Sequence, residues 1–513
     1  MSSPITTRLS IPTRMACAVV SLAAMMIVHP SLATAETATI NAPTTSAPPV
    51  GAPATHTSAI DTAAIDAAVL KNMSIGQIPG TALVIIQDGQ VAYQKGYGVS
   101  SLSNQTPTTA QILFQLGSTS KAFTGLGTLL CQQRGLLSMD APVTTYLPWL
   151  VLKHQGKPVE VTLNQFMHHT SGVPDSTLYT IPEGAGPQML EKTVRMIAGM
   201  ELASAPGTQF AYTSMNYDVL GLVMQTVTQT IYADFVSKEI LEPLGLRNTT
   251  VFQKVADDRG ISDGFKIEFL RPNAYLAPPF DGNLPAGYYI SDGIDVGRWL
   301  QIHLGTVSVP DYFKPLLAES IIPYSSSDPS YAAGWYVSAS QGLIYHGGNN
   351  PNYSSYFIFS PPRNMAVGII ANVNSNSTTA AAQDVVNILL GRPPIFPDNN
   401  PTQRMDTLAV AAIGVESLLA ILALWSLSRL RGQHRYYQPS PQAYAISALL
   451  LSVVAVIGYV LAHFPQLFLF GSNWPFMVVW GPQTLWIAAI LCMILVLLAW
   501  FDVVIRLFFP RHT

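Results

Sequence analysis

The chain has 513 residues, of which 49% are hydrophobic and only 11% are charged, and its mean hydropathy is +0.30. This balance is too apolar for a purely soluble protein and predicts a membrane portion. The formal net charge is −3, and no basic tract is long enough to indicate a nucleic-acid partner, so nucleic-acid binding is excluded. With 3 cysteines in the chain, no disulfide framework is predicted.

The first residues, 1–35, have the order typical of a secretory signal peptide. Two arginines precede an apolar stretch, and Ala33-Thr34-Ala35 follows as a small-residue cleavage site. A retained signal anchor is the alternative interpretation. Residues 36–60 are rich in Ala, Thr and Pro and are predicted to form a flexible leader. The domain that follows is predicted to span residues 61–400.

This domain begins with a hairpin pattern. Thr81–Ile86 is apolar and β-branched, Asp88-Gly89 is a two-residue turn sequence, and Gln90–Tyr97 alternates in part. Helical patterns then dominate, and strand-like runs return later. Strands at both ends of a helical middle predict an α+β domain, with helices packed on an antiparallel sheet. The later predicted elements are helices at Asn216–Val227 and Tyr232–Leu241, strands at Gly342–Tyr345, Ser354–Phe359 and Met365–Ala371, and a last helix at Thr378–Leu390.

A Ser-x-x-Lys pair lies at the start of another predicted helix. Ser118 and Lys121 are three residues apart, so their side chains share one helix face. A serine hydroxyl needs a neighbouring base to become a nucleophile, and a lysine with a lowered pKa can take its proton. The free N–H groups at a helix start favour a developing oxyanion. The segment therefore predicts an acyl-transfer site, although Ser-x-x-Lys also occurs by chance.

Three further segments carry side chains suited to chemistry. Tyr212 precedes a predicted helix, where its phenol is suited either to general acid–base work or to core packing. His346 is predicted to end a strand beside two glycines, where it would polarise or protonate a substrate or simply pack. His168 and His169 share no helix face and have no Cys or acid at ligand spacing. We therefore predict a turn near the site and no metal centre.

Three apolar segments near the C-terminus are each close to the length that crosses a bilayer, at about 407–427, 443–462 and 484–500. The loop after the first segment and the tail after the third carry arginines, whereas the loop after the second has no Lys or Arg. The positive-inside rule therefore places the first loop and the C-terminus in the cytoplasm. Residues 401–513 are predicted to be a membrane domain. Glu416 falls inside its first span, where it either has a function or faces the other helices.

In this order the motifs resemble those of the serine β-lactamase and penicillin-binding-protein family, in its class C and esterase-like branch, over about residues 65–395. The resemblance implies an α+β, β-lactamase/transpeptidase-like sandwich: an antiparallel sheet with flanking helices plus an all-helical subdomain, followed here by three transmembrane helices. The matching residues are Ser118 and Lys121 for Ser-x-x-Lys, Tyr212 for the tyrosine motif, and His346 with Gly348 for His-x-Gly.

Two positions depart from the family pattern. Ser214 stands where most members have Asn, and His346 replaces the Lys of true class C β-lactamases, which disfavours efficient β-lactam hydrolysis. A narrower resemblance is to the membrane-bound, peptidase S12-type enzymes that activate nonribosomal-peptide prodrugs, typified by the colibactin-maturing peptidase. The segments that carry it are Gly117–Leu126, Gln155–Pro158, Tyr217–Gly221, His346–Ser355, Asn372–Asn376 and Trp474–Pro482.

Those peptidases remove an N-acyl-D-asparagine cap from an exported precursor. The resemblance thus implies a bacterial inner-membrane enzyme with its catalytic domain in the periplasm, no cofactor, and Ser118, Lys121, Tyr212 and His346 as catalytic residues. The implied partners are an acylated peptide or nonribosomal-peptide precursor and the lipid bilayer, with an upstream exporter and a second copy of the chain as further candidates. The candidate substrate-binding residues are Ser214, Gly348, Asn349 and Asn352.

Other functions remain open at this point. A D,D-carboxypeptidase, an esterase or a β-lactamase of the same fold would share every motif, and only substrate testing separates them. A non-catalytic penicillin-binding-like sensor would have lost a reactive residue, yet Ser118, Lys121 and Tyr212 are all present. A transporter would need repeats and a polar pathway, and three spans with one internal acid offer neither.

Overall fold

The described residues form two compact units. One, the sheet unit, consists of residues 60–266 and 271–400, and the other, the long-helix unit, consists of residues 267–270 and 401–511. The predicted signal peptide, and the predicted leader up to residue 59, lie outside the described residues. The computed structural model describes residues 60–323, 330–396, 400–469 and 471–511.

The sheet unit is built around one large antiparallel sheet. Its seven strands lie side by side in the order β10-β11-β12-β13-β1-β2-β3, with the strands numbered along the chain. The first strand of the chain therefore pairs with the last. The family-like sandwich predicted from the motifs is confirmed. The strands are β1 (Gly80–Gln87), β2 (Gln90–Ser101), β3 (Thr106–Pro107), β4 (Phe114–Gln115), β5 (Leu152–His154), β6 (Lys157–Val159), β7 (Phe265–Glu268), β8 (Arg271–Ala274), β9 (Ile290–Ser291), β10 (Tyr336–Ser338), β11 (Leu343–Asn350), β12 (Tyr353–Ser360) and β13 (Met365–Ala371).

The predicted hairpin is formed by β1 and β2. Its turn residues, Asp88 and Gly89, both have left-handed φ angles, of 52° and 77°, which the tight two-residue turn requires. All residues of β1 except Gln87 are buried, because β1 lies between β2 and β13 in the sheet. This central position explains the continuous apolar run in its sequence.

The sheet unit also contains α-helices. The described helices of the sheet unit are α1 (Thr62–Gly76), α2 (Lys121–Gln133), α3 (Leu163–Met167), α4 (Met189–Arg195), α5 (Ser214–Thr228), α6 (Tyr232–Val236), α7 (Gln253–Asp258), α8 (Leu284–Gly287), α9 (Gly293–His303), α10 (Phe313–Glu319) and α11 (Asn376–Leu389). A π-helical turn, Ser237–Leu241, continues α6. Most of the elements between β4 and β9 are helices, as predicted for the middle of the domain.

The two faces of the sheet are covered by different helices. Gly368 of β13 faces α9, because a side chain there would meet Val296 and Leu300. Gly347 of β11 faces α11, because a side chain there would contact Thr379. Since neighbouring residues of a strand point to opposite faces, Gly348 shares the α9 face. This face carries the candidate site.

The long-helix unit contains three helices that are long and apolar enough to cross a membrane. They are α12 (Pro401–Leu430), α13 (Pro441–Ala462) and α16 (Gln483–Phe508), with mean hydropathies of 2.2, 2.5 and 2.8 over their most apolar windows. Each contains one predicted span. Glu416 is 2% exposed within this unit, as expected if it faces neighbouring helices. Two short helices complete the unit, α14 (Phe464–Phe468) and α15 (Trp474–Trp480).

Candidate active site

Ser118 and Lys121 lie at the junction of a short turn and α2. Residues Gly117–Ser120 form a 3₁₀ turn, and α2 begins at Lys121. The Lys121 Nζ donates a hydrogen bond to the Ser118 Oγ over 3.0 Å. Lys121 is fully buried, whereas Ser118 keeps 8% of its surface exposed. The two side chains are therefore close together at a helix start, as their spacing predicts, and Ser118 is the more exposed of the two.

Two further oxygens surround the Lys121 Nζ. It donates to the Ala286 carbonyl oxygen at the C-terminal end of α8 (2.9 Å) and to the Ser214 Oγ at the start of α5 (3.4 Å). The ring of Tyr212 lies beside it, with its centroid 4.8 Å from Nζ. Oxygens from three separate segments thus fix the nitrogen within reach of the Ser118 hydroxyl. A lysine held in this way can accept the Ser118 proton when its amine is neutral.

Strand β11 packs directly against the turn that carries Ser118. A Cβ built on Gly117 would lie 2.4 Å from the Asn349 backbone nitrogen. Gly117 also has a left-handed φ of 57°, so two requirements favour glycine there. The backbone N–H groups of Ser118 and Asn349 therefore belong to adjoining segments. The predicted strand end at Tyr345 is wrong: β11 continues to Asn350, because its glycines let the strand approach the turn.

Tyr212 lies in the same cluster, just ahead of α5. The residue that follows it, Thr213, caps the helix by accepting a hydrogen bond from the Met215 N–H. The Tyr212 side chain is 7% exposed, and its ring centroid lies 5.9 Å from that of His346. The structure thus brings Tyr212 next to Lys121 and His346, where a phenol is suited to relay a proton.

His346 is neutral in this arrangement. Its Nδ1 lies 2.6 Å from the Gly347 carbonyl oxygen, which only accepts, so Nδ1 carries the ring proton. Its Nε2 then accepts a hydrogen bond from the Tyr331 hydroxyl over 2.9 Å. Burial, with a smaller effect of Lys121, lowers the pKa of His346 to about 3. The imidazole therefore supplies no positive charge at neutral pH, unlike the lysine that it replaces.

The candidate substrate-binding residues are placed differently from one another. Gly348 lies against the Ser118 turn, and Ser214 contacts Lys121. Asn349 is half-buried on β11, opposite Ser354. The side-chain amide of Asn352 donates to the Tyr275 carbonyl oxygen over 2.8 Å, so this donor is engaged outside the Ser118–Lys121 cluster.

Two contributors to the site were not predicted from the sequence. The first is the Ala286 carbonyl, although the segment that carries it, Pro285-Ala286-Gly287, resembles a landmark of the family. The second is Tyr331, the partner of His346, for which the sequence carries no motif. His169, by contrast, lies in the turn that was predicted near the site, and it contacts Tyr212 with ring centroids 4.4 Å apart.

Comparison with known families agrees with this geometry. The family model described as Beta-lactamase matches residues 65–391, which is more than half of the chain. The chain belongs to the β-lactamase family. It is accordingly a hydrolase of the serine β-lactamase fold, the class in which a serine nucleophile attacks an acyl group.

Individual relatives are distant. Protein flp of Staphylococcus aureus (strain MW2) is 27% identical over 448 residues, covering 85% of this chain and 88% of its own length. The unguisins hydrolase ungD' of Aspergillus campestris is 26% identical over 346 residues, or 63% of each chain. The octameric penicillin-binding protein homologue from Pyrococcus abyssi superposes with a TM-score of 0.58 at 22% identity, covering 68% of this chain and 81% of that one. This last likeness shows the fold alone.

The similarity to Protein flp extends beyond the family match. Residues 1–400 cannot supply 85% of a 513-residue chain, so the aligned region reaches into the segment after residue 400. The C-terminal segment is therefore shared, at least in part, with Protein flp.

Proposed function

We propose that this protein is a membrane-anchored serine peptidase that removes an N-acyl-D-amino-acid cap, with D-asparagine as the expected residue, from an exported nonribosomal-peptide precursor. The observation that carries the proposal is the neutral His346 beside the Ser118–Lys121 pair. β-Lactams and D,D-peptides end in a carboxylate next to the bond that is cleaved, and a cation at this position would pair with it. A neutral imidazole suits a substrate whose chain continues as an amide.

The reaction begins with the neutral amine of Lys121, which takes the proton of the Ser118 hydroxyl over their 3.0 Å hydrogen bond. The Ser118 Oγ attacks the carbonyl carbon of the acylated D-residue. The N–H groups of Ser118 and Asn349 stabilise the oxyanion that forms, because they are fixed by the packing of β11 on the turn.

Collapse of the tetrahedral intermediate needs a proton on the leaving amine. In this proposal Tyr212 donates it and becomes a phenolate, and the protonated Lys121, whose nitrogen lies 4.8 Å from the centre of the Tyr212 ring, returns a proton to that phenolate. Water hydrolyses the acyl-enzyme by the same relay in reverse and restores the Ser118 hydroxyl. Ser214 is the candidate to hold the side chain of the capping residue, because the Asn349 side chain lies on the same face of the sheet as Gly347 and only its backbone N–H is offered to the site.

The long-helix unit supports a role at a membrane. An acyl chain on the cap would partition into the bilayer, so the three long helices would keep the enzyme where its substrate collects. A hydrolytic role is also supported by the relative that carries the name unguisins hydrolase. The proposed partners are the natural precursor, an exporter that acts before this enzyme, and a second copy of this chain.

A stereochemical comparison tests the proposal. The purified full-length protein is assayed with an N-myristoyl-D-asparaginyl anilide, with its L-isomer, and with nitrocefin. We expect the D-isomer to be cleaved much faster than the L-isomer and nitrocefin to be hydrolysed poorly. Equal rates for the two isomers would indicate an ordinary esterase or amidase. Efficient nitrocefin turnover, or release of D-alanine from a D-alanyl-D-alanine peptide, would indicate a β-lactamase or a carboxypeptidase.

A further inference from the structure

His169 forms hydrogen bonds with the residues immediately before and after Tyr212 in the chain. It follows α3, and its left-handed φ of 55° turns the chain back towards α5. The Ala211 N–H donates to the His169 carbonyl oxygen over 2.8 Å. The Thr213 N–H donates to the His169 Nδ1 over 3.3 Å. One residue therefore holds the positions immediately before and after Tyr212.

A second set of hydrogen bonds fixes the His169 imidazole. The side-chain amide of Asn216 donates to Nδ1 over 2.9 Å, and the Asn216 Oδ1 accepts from the Ser171 hydroxyl over 2.8 Å. Nδ1 accepts from two donors, so the ring proton lies on Nε2 and the ring is neutral. Burial lowers the pKa of His169 well below its ordinary value, in agreement with this tautomer.

The same ring contacts the phenol of Tyr212. The two ring centroids are 4.4 Å apart, and the ring of Tyr331 meets His169 from another side at 4.7 Å. His169 is completely buried. The imidazole thus limits where the Tyr212 ring can rotate, while the two backbone contacts fix where that ring begins.

We propose that His169 is a positioning residue for Tyr212. It holds the ring of Tyr212 beside the Lys121 nitrogen, which lies 4.8 Å from the ring centre, and it affects the reaction only through Tyr212. This inference rests on the proposed acyl-enzyme mechanism, in which Tyr212 protonates the leaving group. Loss of the His169 side chain should therefore lower the rate of the chemical step and leave substrate binding unchanged.

A double-variant cycle tests the inference in the full-length protein. The variants are His169→Ala, Tyr212→Phe and the two combined, assayed with the N-acyl-D-asparaginyl anilide and with the matching p-nitrophenyl ester. We expect His169→Ala to lower kcat for the anilide by roughly tenfold to a hundredfold at unchanged KM. The kcat/KM of the ester, which reports acylation and not hydrolysis of the acyl-enzyme, should fall less, because p-nitrophenolate leaves without a proton. In the Tyr212→Phe background, removal of His169 should cause no further loss.

Two conservative variants keep the test valid if the alanine variant folds poorly. The Asn side chain of His169→Asn presents an acceptor near the position of Nδ1, whereas that of His169→Gln presents one near the position of Nε2. We expect His169→Asn to retain more activity than His169→Gln. Additive losses in the double variant, equal losses on anilide and ester, or no preference for Asn over Gln would overturn the inference.

A fluorophosphonate probe separates this inference from the proposed function. The probe reacts with an activated serine whatever the natural substrate is, and fluoride leaves it without a proton. If the wild-type protein labels at Ser118 but does not cleave the D-asparaginyl anilide, the proposed substrate is wrong, and the cycle is run on any anilide that is cleaved. If His169→Ala labels as fast as wild type but loses anilide cleavage, the inference is supported.

Discussion

Gly348 lies so close to Leu116 that a Cβ on the glycine would stand 2.0 Å from the Leu116 carbonyl oxygen. The same Cβ would lie 2.5 Å from the Ser355 Oγ and 3.0 Å from the Ser118 backbone nitrogen. The neighbouring Gly347 points to the opposite face, where a Cβ would meet Tyr356 at an ordinary 3.4 Å. The two adjacent glycines therefore respond differently to the same substitution.

We expect Gly348→Ala to abolish hydrolysis and to lower stability, because the methyl group would push β11 away from the turn that presents Ser118. Gly347→Ala is the matched control and should retain activity within a few-fold. The measurement is kcat/KM on the D-asparaginyl anilide, together with the thermal midpoint of each variant. Equal activity of the two variants would show that β11 does not form the wall of the oxyanion site.

Ser118→Ala should reduce hydrolysis by at least roughly a thousandfold while the fold and membrane insertion survive. The hydroxyl is the proposed nucleophile, and its Oγ makes one hydrogen bond, to Lys121, that is easily lost without disturbing α2. Activity is measured on purified protein, and the site of fluorophosphonate labelling is mapped by mass spectrometry. Labelling at another serine, or near-normal activity in the variant, would remove Ser118 from the mechanism.

The stability of the protein should fall as the pH is lowered from 7 to 5. His346 has a pKa of about 3 when folded and about 6.5 when unfolded, so between these values the unfolded chain binds more protons. At pH 5 this favours the unfolded state by about 2 kcal/mol. His168, whose pKa burial lowers to about 4, acts in the same direction. Asp292, whose pKa burial raises to about 6, acts in the opposite one.

The experiment is denaturant unfolding of the detergent-purified protein at both pH values, for wild type and for His346→Gln. The variant should lose less stability between pH 7 and pH 5, because it lacks one group that unfolding allows to be protonated. An identical pH dependence in the two proteins would mean that the imidazole is not held neutral.

The last prediction is topological. Alkaline phosphatase fused after Pro401 or after Asn473 should be active, and fusions in the loop from Arg429 to Pro441 or at Thr513 should be inactive. The reason is the arginine content of that loop and of the tail, together with the N-terminal signal-peptide pattern. A cytosolic fluorescent reporter at the same four positions should show the complementary pattern. Phosphatase activity in the arginine loop would invert the orientation.

Much of the architecture follows from local sequence. The turn at Asp88-Gly89 was predicted because two adjacent left-handed residues suit a tight hairpin, and α5 because its apolar residues recur at helical spacing. The spacing of Ser118 and Lys121 was sufficient to place their side chains together. In each case the deciding interactions are between residues close in the chain.

What could not be predicted depends on distant contacts. Nothing in Thr81–Ile86 indicates that its partner is β13 at the other end of the domain. The glycines after His346 suggested a strand end, yet the strand continues because the Ser118 turn lies against it. The neutral state of His346 arises from burial and, to a smaller extent, from Lys121, and neither is visible in its own segment.

The pairing of β1 with β13 also governs when the enzyme can first act. Thr81 meets Ala371 in the register of the two strands, and β11, which completes the surroundings of Ser118, precedes β13 in the chain. A ribosome has therefore already synthesised the serine and the lysine long before the strands that enclose them exist. Chains interrupted before residue 371 would carry the nucleophile in an open, inert form, so premature termination should yield no partially active peptidase.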